Sequence, residues 1–223
     1  MNKTERFRTV LKKKGIGKTM SKHMDATDMS LVNDHWLDNA IPNAMKSTLL
    51  TAWIMLSKTS EEAAELVSIQ SKYKVVLPQS LWFLVESPVT DVDQWIHRIV
   101  HYQQDVERNV IQSMFEKICS RDISDERAAA FLEGLRLKEE SPIENAASYD
   151  FFAQKTHRCS VNVPVLVDIA TPYDGHLKVP CLQPFLCALL ASIGIPAVIH
   201  GVAGVSPKYG MTTVICLAEA LLQ

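Results

Sequence analysis

The chain repeats itself, and the repeat limits what its first two-thirds can become. At an offset of 82 residues, Ile41-Pro42-Asn43 falls on Ile123-Ser124-Asp125, while Leu49, Leu50 and Trp53 fall on Phe131, Leu132 and Leu135. These positions share one helical face. The match runs on from Leu56–Ala64 to Leu137–Ser148, with a one-residue ambiguity near its end. Both copies carry a capping box. Thr59 is placed to cap a helix while Glu62 reaches back, and Ser141 and Glu144 do the same with Pro142 at the first helical position. Each copy therefore predicts an amphipathic helix, a short turn, a second helix and a capped third helix. Val110, Ile111, Met114, Phe115 and Ile118 form the stripe of the leading helix in the second copy. Between the copies, Asp91 to Gln104 predicts a helix with Trp95, Ile99 and Tyr102 roughly on one side. Lys74 to Glu86 is apolar but broken by Pro78, so periodicity assigns it no element.

The pattern changes after Val163. Val163 to Ile169 is a nearly unbroken apolar run rich in β-branched residues, as expected of a parallel strand covered on both faces. It ends in Ala170-Thr171-Pro172-Tyr173-Asp174-Gly175. Leu182 to Ile193 then suits a buried helix, closed by the left-handed residue Gly194, and Ile195 to Ile199 suits a second buried strand. From His200 to Gly210 the glycines permit close backbone approach, and Lys208 offers a cation to an anion. In an open α/β sheet, ligands collect where such loops leave the carboxyl ends of strands. The expected fold is a helical domain with a duplicated three-helix unit, followed by the first βαβ part of a parallel-sheet α/β domain. Its divisions are residues 1–106, with the first copy, 107–160, with the second, and 161–223.

At 47% hydrophobic and 22% charged, the composition is that of a globular protein rather than a disordered one. A net charge of -2 argues against a wholly basic nucleic-acid binder. The amino-terminal arm is nonetheless basic, and Lys12, Lys13, Lys14 and Lys18 are its candidates for nucleic-acid phosphate. The alternative is a solvated, partly frayed first helix. Five cysteines without a CxxC pair suggest neither a disulfide framework nor a zinc site, and fit a reducing cytoplasm. Val179 to Pro207 lacks charge, but Gly194-Ile195-Pro196 interrupts it, so no membrane span is expected; no secretory signal is expected either. Gly15-Ile16-Gly17-Lys18-Thr19 imitates the end of a P-loop without its preceding strand. Trp36, Trp53, Trp82 and Trp95 sit among apolar helix positions and are expected in the core.

Three segments resemble anthranilate phosphoribosyltransferase and its glycosyltransferase family 3 relatives. They are Ile123–Leu132 through Leu135–Pro142, then Val167-Asp168-Ile169 with Asp174-Gly175, and His200-Gly201 after the next strand. The resemblance spans residues from about 109 to 223, and the first copy resembles the same helical domain again. It implies a helical domain joined to an α/β domain, a phosphoribosyl or nucleotide-type ligand, and magnesium as a cofactor. In that family a glycine-rich GTGGDG turn cradles diphosphate on backbone N–H groups. Here Pro172 and Tyr173 stand within that turn and three of the glycines are gone, which removes donors and places a ring where phosphate would sit. The family's KHG motif reads Ile199-His200-Gly201, with Lys208 as a partial replacement for the absent cation. Tyr173-Asp174-Gly175 and Pro207-Lys208-Tyr209-Gly210 look more like a divergent branch associated with nucleic-acid binding. The family's acidic pair for magnesium lies further along than Gln223. The expectation is thus a fragment, strands packed on the helical repeats, or another chain completing the sheet.

The ligand residues implied are Thr171, Tyr173, Asp174, Gly175, His200, Gly201 and Lys208. Each has a structural alternative: Asp174 suits an Asx turn as well as a ribose hydroxyl, His200 a loop carbonyl, Lys208 solvent, and Tyr173 a plugged turn. No catalytic residue and no nucleophile pattern emerges. Three readings stand: a phosphoribosyltransferase-like protein whose transferase chemistry is lost or needs further residues, a nucleic-acid-binding protein of the same fold, and a helical homodimerisation module.

Overall fold

A computed structural model of the protein describes residues 2–156, 162–170, 182–200, 204–205 and 208–209. The chain divides into two compact units, Met1–Thr156 and His157–Gln223. The first is helical: α1 (Lys3–Lys14), α2 (Ala26–Asn33), α3 (Asn43–Met55), α4 (Ser60–Ser71), α5 (Tyr73–Val76), a 3-10 turn (Gln79–Leu84), α6 (Asp91–Tyr102), α7 (Arg108–Ser120), α8 (Asp125–Lys138) and α9 (Pro142–Lys155).

The repeat governs this unit. The N-caps of α2, α3 and α4 are Asp25, Pro42 and Thr59; those of α7, α8 and α9 are Glu107, Ser124 and Ser141, each 82 residues on. Both expected capping boxes form. The unit of repetition is larger than three helices, because α1 packs on α3 as α6 packs on α8. Four helices recur. The two copies meet where α3 lies against α8, and α3 is apolar around most of its circumference, with Leu49, Leu50, Ala52 and Trp53 all buried.

Contacts at both ends give the helix directions. Lys3 reaches Asp38, Thr4 donates to Ala40 O, Asp93 binds Arg127 and Ser47 donates to Glu126 O, which gathers the starts of α1, α3, α6 and α8. Lys14 donates to Ser57 O, Gln103 to Met55 O, Lys138 to Asp105 and Arg136 to Gly15 O, which gathers their finishes. These four helices run the same way. Trp36 and Trp53 are buried, and Trp82 and Trp95 pack on the core as partly buried residues. The P-loop imitation follows a helix rather than a strand, and Gly15 is that helix's C-cap.

The segment that periodicity left open becomes α5 and the 3-10 turn, with Pro78 as the residue before the turn. Leu77, Leu81 and Leu84 are buried, so its apolar character serves the core between the copies.

The second unit holds β1 (Val167–Ala170), α10 (Gln183–Ser192), β2 (Ala197–His200) and a two-residue antiparallel ladder of β3 (Gly204–Val205) with β4 (Lys208–Tyr209). β1 and β2 pair in parallel. The strand-helix-strand order is as expected, but both strands start later than the apolar runs do, since Val163 to Leu166 and Ile195–Pro196 are not in strand. Gly194 has a φ of +79° just past α10, the left-handed conformation that glycine adopts freely. One expectation fails outright: no described residue of this unit is buried. Two strands and one helix cannot cover each other's faces, and stable sheets ordinarily need more strands or more cover.

Candidate functional site

The candidate ligand site rests on the register of β1 against β2. Val167 pairs with Ala197, Asp168 with Val198, Ile169 with Ile199 and Ala170 with His200. Two strands that run the same way and stop at the same level put both following loops at one carboxyl edge, the position where α/β sheets take ligands. His200 is the last residue of β2, and Lys208 lies in β4 opposite Val205. Thr171, Tyr173, Asp174, Gly175 and Gly201 lie outside the described residues. Among the described residues no group of three or more His, Cys, Asp or Glu side chains could hold a metal ion, so the implied magnesium has no ligand set there.

The basic arm divides differently from its reading as a phosphate clamp. Lys14 is completely buried, and its ammonium donates to Ser57 O and Glu62 Oε1, each at 2.8 Å. It must be withdrawn from the candidates for nucleic-acid contact, because a cation enclosed by protein presents no charge to a phosphate. Lys13 is bound by Asp25 and Asp28, and the hydrogen bond it donates to Asp28 foremost holds its pKa above the ordinary lysine value. Lys18 reaches Glu139 at 3.4 Å. Lys12 is exposed. The arm is an ordered helix docked through Phe7 and Val10 rather than a frayed one.

The main electrostatic feature of the helical unit is a pair of buried carboxylates that sequence reasoning treated only as helix caps. Glu62 Oε1 accepts from Lys14 Nζ at 2.8 Å and from Met24 N at 2.9 Å; its Oε2 accepts from Thr59 N at 2.9 Å and faces His23 Nδ1 at 2.9 Å. Glu144 Oε1 accepts from Val106 N at 2.9 Å, and its Oε2 from Lys138 Nζ and Ser141 N, both at 2.7 Å. Met24 and Val106 are equivalent residues of the two copies. Burial works against ionised Glu62, yet the Lys14 ammonium and the N–H donors bring its pKa below the ordinary carboxylate value. These ionic joints, with four partners at Glu62 and three at Glu144, fasten the entry of α2 to α4 and that of α7 to α9. The capping-box spacing was the only signal for them. Nothing about them suggests catalysis, because the hydrogen bonds leave neither carboxylate open to a substrate.

A hollow of about 180 Å³ lies between α2, α4 and α5, lined in part by Asn33, Trp36, Glu65, Ile69 and Lys72. None of the sequence-derived site residues lines it. Cys119 is exposed and Cys187 partly buried, both as free thiols. No helix among the described residues is long and apolar enough to cross a membrane.

No family model matches the chain, and no curated protein or solved structure matches it.

Proposed function

We propose that this protein binds a phosphorylated ribose or a nucleotide-type ligand at the carboxyl edge of the β1–β2 ladder. The observation that carries this reading is the parallel, level ending of the two strands at Ala170 and His200. The sequence after β1 keeps Asp174-Gly175 for ribose or turn contacts but lacks the glycines that would clasp a diphosphate, so the reading is binding without efficient phosphoribosyl transfer. The amino-terminal arm, with Lys14 spent on Glu62, gives the nucleic-acid alternative less to work with. Phe185, Leu186 and Leu189 of α10 are exposed, and further strands, from this chain or another, are the cover that this reading requires.

A ligand that binds only the folded state stabilises it by about 2.7 kcal/mol at a hundredfold excess over Kd. Phosphoribosyl diphosphate with magnesium, and nucleotides, are therefore expected to raise the thermal midpoint, and His200→Ala to abolish the rise. A rise with oligonucleotides alone would transfer the proposal to nucleic acid. No rise with any of them would end it. Release of diphosphate in the presence of anthranilate by the purified protein would contradict the claimed loss of transfer.

A further inference from the structure

His97 and His101 stand one helical turn apart on α6, with ring centroids 4.6 Å apart and planes tilted by 43°. Their Nε2 atoms lie 2.7 Å from Phe83 O and 3.0 Å from Leu84 O, consecutive carbonyls at the end of the 3-10 turn. A carbonyl only accepts, so each Nε2 must carry the hydrogen and donate, and each neutral ring keeps Nδ1 as the place where a proton can add. The turn they hold belongs to the segment that joins the two copies and sends Leu81 and Leu84 into the core.

We propose that His97 and His101 form a proton-operated latch: neutral, they fasten the connecting turn to α6, and double protonation releases it. Two imidazolium rings in this stacking repel each other, and both are partly withdrawn from water, which disfavours the charged form. The Leu84 carbonyl favours a charged His101, but burial and the neighbouring ring outweigh it, and the charged side chains nearby are engaged elsewhere. Arg127 of α8 lies over the Phe83 ring at 4.6 Å and is bound by Asp93 of α6. Glu86, just past the turn, is engaged by Tyr73 and Lys74 of α5. Arg98 of α6 pairs with Glu107, and Lys46 of α3 with Asp38 O and Asn43. No carboxylate hydrogen-bonds either ring among the described residues. Burial foremost, and then the charge on His97, hold His101 below the ordinary histidine pKa. The sign follows: the latch contributes in full above the unfolded value of about 6.5 and loses strength as pH falls below it.

Hydrogen exchange of the full chain, corrected for the intrinsic pH dependence, tests this. Between pH 7.5 and 5.5 the peptide spanning residues 77–88 is expected to lose protection severalfold more than peptides from α3 and α8. His101→Gln, which keeps a donor for Leu84 O but cannot titrate, is expected to remove that difference; His97→Gln is the second variant should the first fold poorly. Imidazole NMR of the unaltered protein is expected to show His101 taking up its proton below the usual histidine range. Equal loss of protection across all three peptides, a pH response that survives in the variants, or a His101 titration at the ordinary histidine value would each overturn the latch.

Discussion

Removing the carboxylate of Glu62 strands the ammonium of Lys14 where no water reaches it, since both side chains are fully buried. Glu62→Ala is therefore expected to lower the unfolding free energy by about 3–5 kcal/mol, as read from denaturant melts. Glu144→Ala is expected to cost less than Glu62→Ala, because Lys138, though almost as enclosed, keeps Asp105 as an ionic partner. Thr59→Ala removes only the cap hydroxyl and is expected to cost about 1 kcal/mol. The sequence showed the spacing of Thr59 with Glu62 and of Ser141 with Glu144, because a capping box is local. It did not show that these glutamates also gather Lys14, Met24 N and Val106 N, since those partners lie 48, 38 and 38 residues away. The same distance effect hid Lys14: one lysine in a basic run looks like its neighbours until a long-range carboxylate selects it.

At the scale of elements, Gly134 reports how closely α6 meets α8. A Cβ there would come within 2.8 Å of Ile99 Cγ2 and 3.3 Å of Val100 Cγ2. Branched side chains have little rotamer freedom on a helix. Alanine is intrinsically better than glycine in a helix by about 1 kcal/mol, yet overpacking costs about 1–3 kcal/mol. Gly134→Ala is expected to destabilise on balance, with a lower melting midpoint. In the other copy the equivalent residue is Ala52, itself fully buried. Helices with strong apolar faces were legible: the expected Asp91–Gln104 helix is α6 within two residues, and Leu182–Ile193 contains α10. The 3-10 turn was not legible, because its side chains follow what the gap between the copies admits rather than a helical or strand period. The strands of the second unit were legible in order and direction but not in burial, since an apolar run records the cover that a sheet needs and not whether two strands provide it. Of the candidate site, the sequence located the edge; the register of Ala170 with His200 had to come from the fold.

At the scale of the molecule, the buried core side chains among the described residues, from Phe7 to Phe151, all belong to the first unit. Residues 1–156 expressed alone are thus expected to unfold in one cooperative transition, measurable by calorimetry. Its acid limit follows from the carboxylates. Burial pulls Asp93 upward, but Arg127 and Thr90 more than compensate, so Asp93 and Glu62 both lie below their ordinary values. Their contribution is present above the unfolded carboxylate range and is lost as pH falls through the folded values, so stability is expected to drop below about pH 4. Glu133 opposes this in part, because burial raises it and its folded form takes up a proton early. The meeting of α3 with α8, the equivalent residues of the two copies, has one more consequence. A half-length polypeptide ending before α6 would display on α3 the surface that α8 now hides, and the most similar surface available to hide it again is that of an identical half. Severed in the connecting turn, such halves have every chemical reason to recombine in trans and regenerate the seam from two molecules.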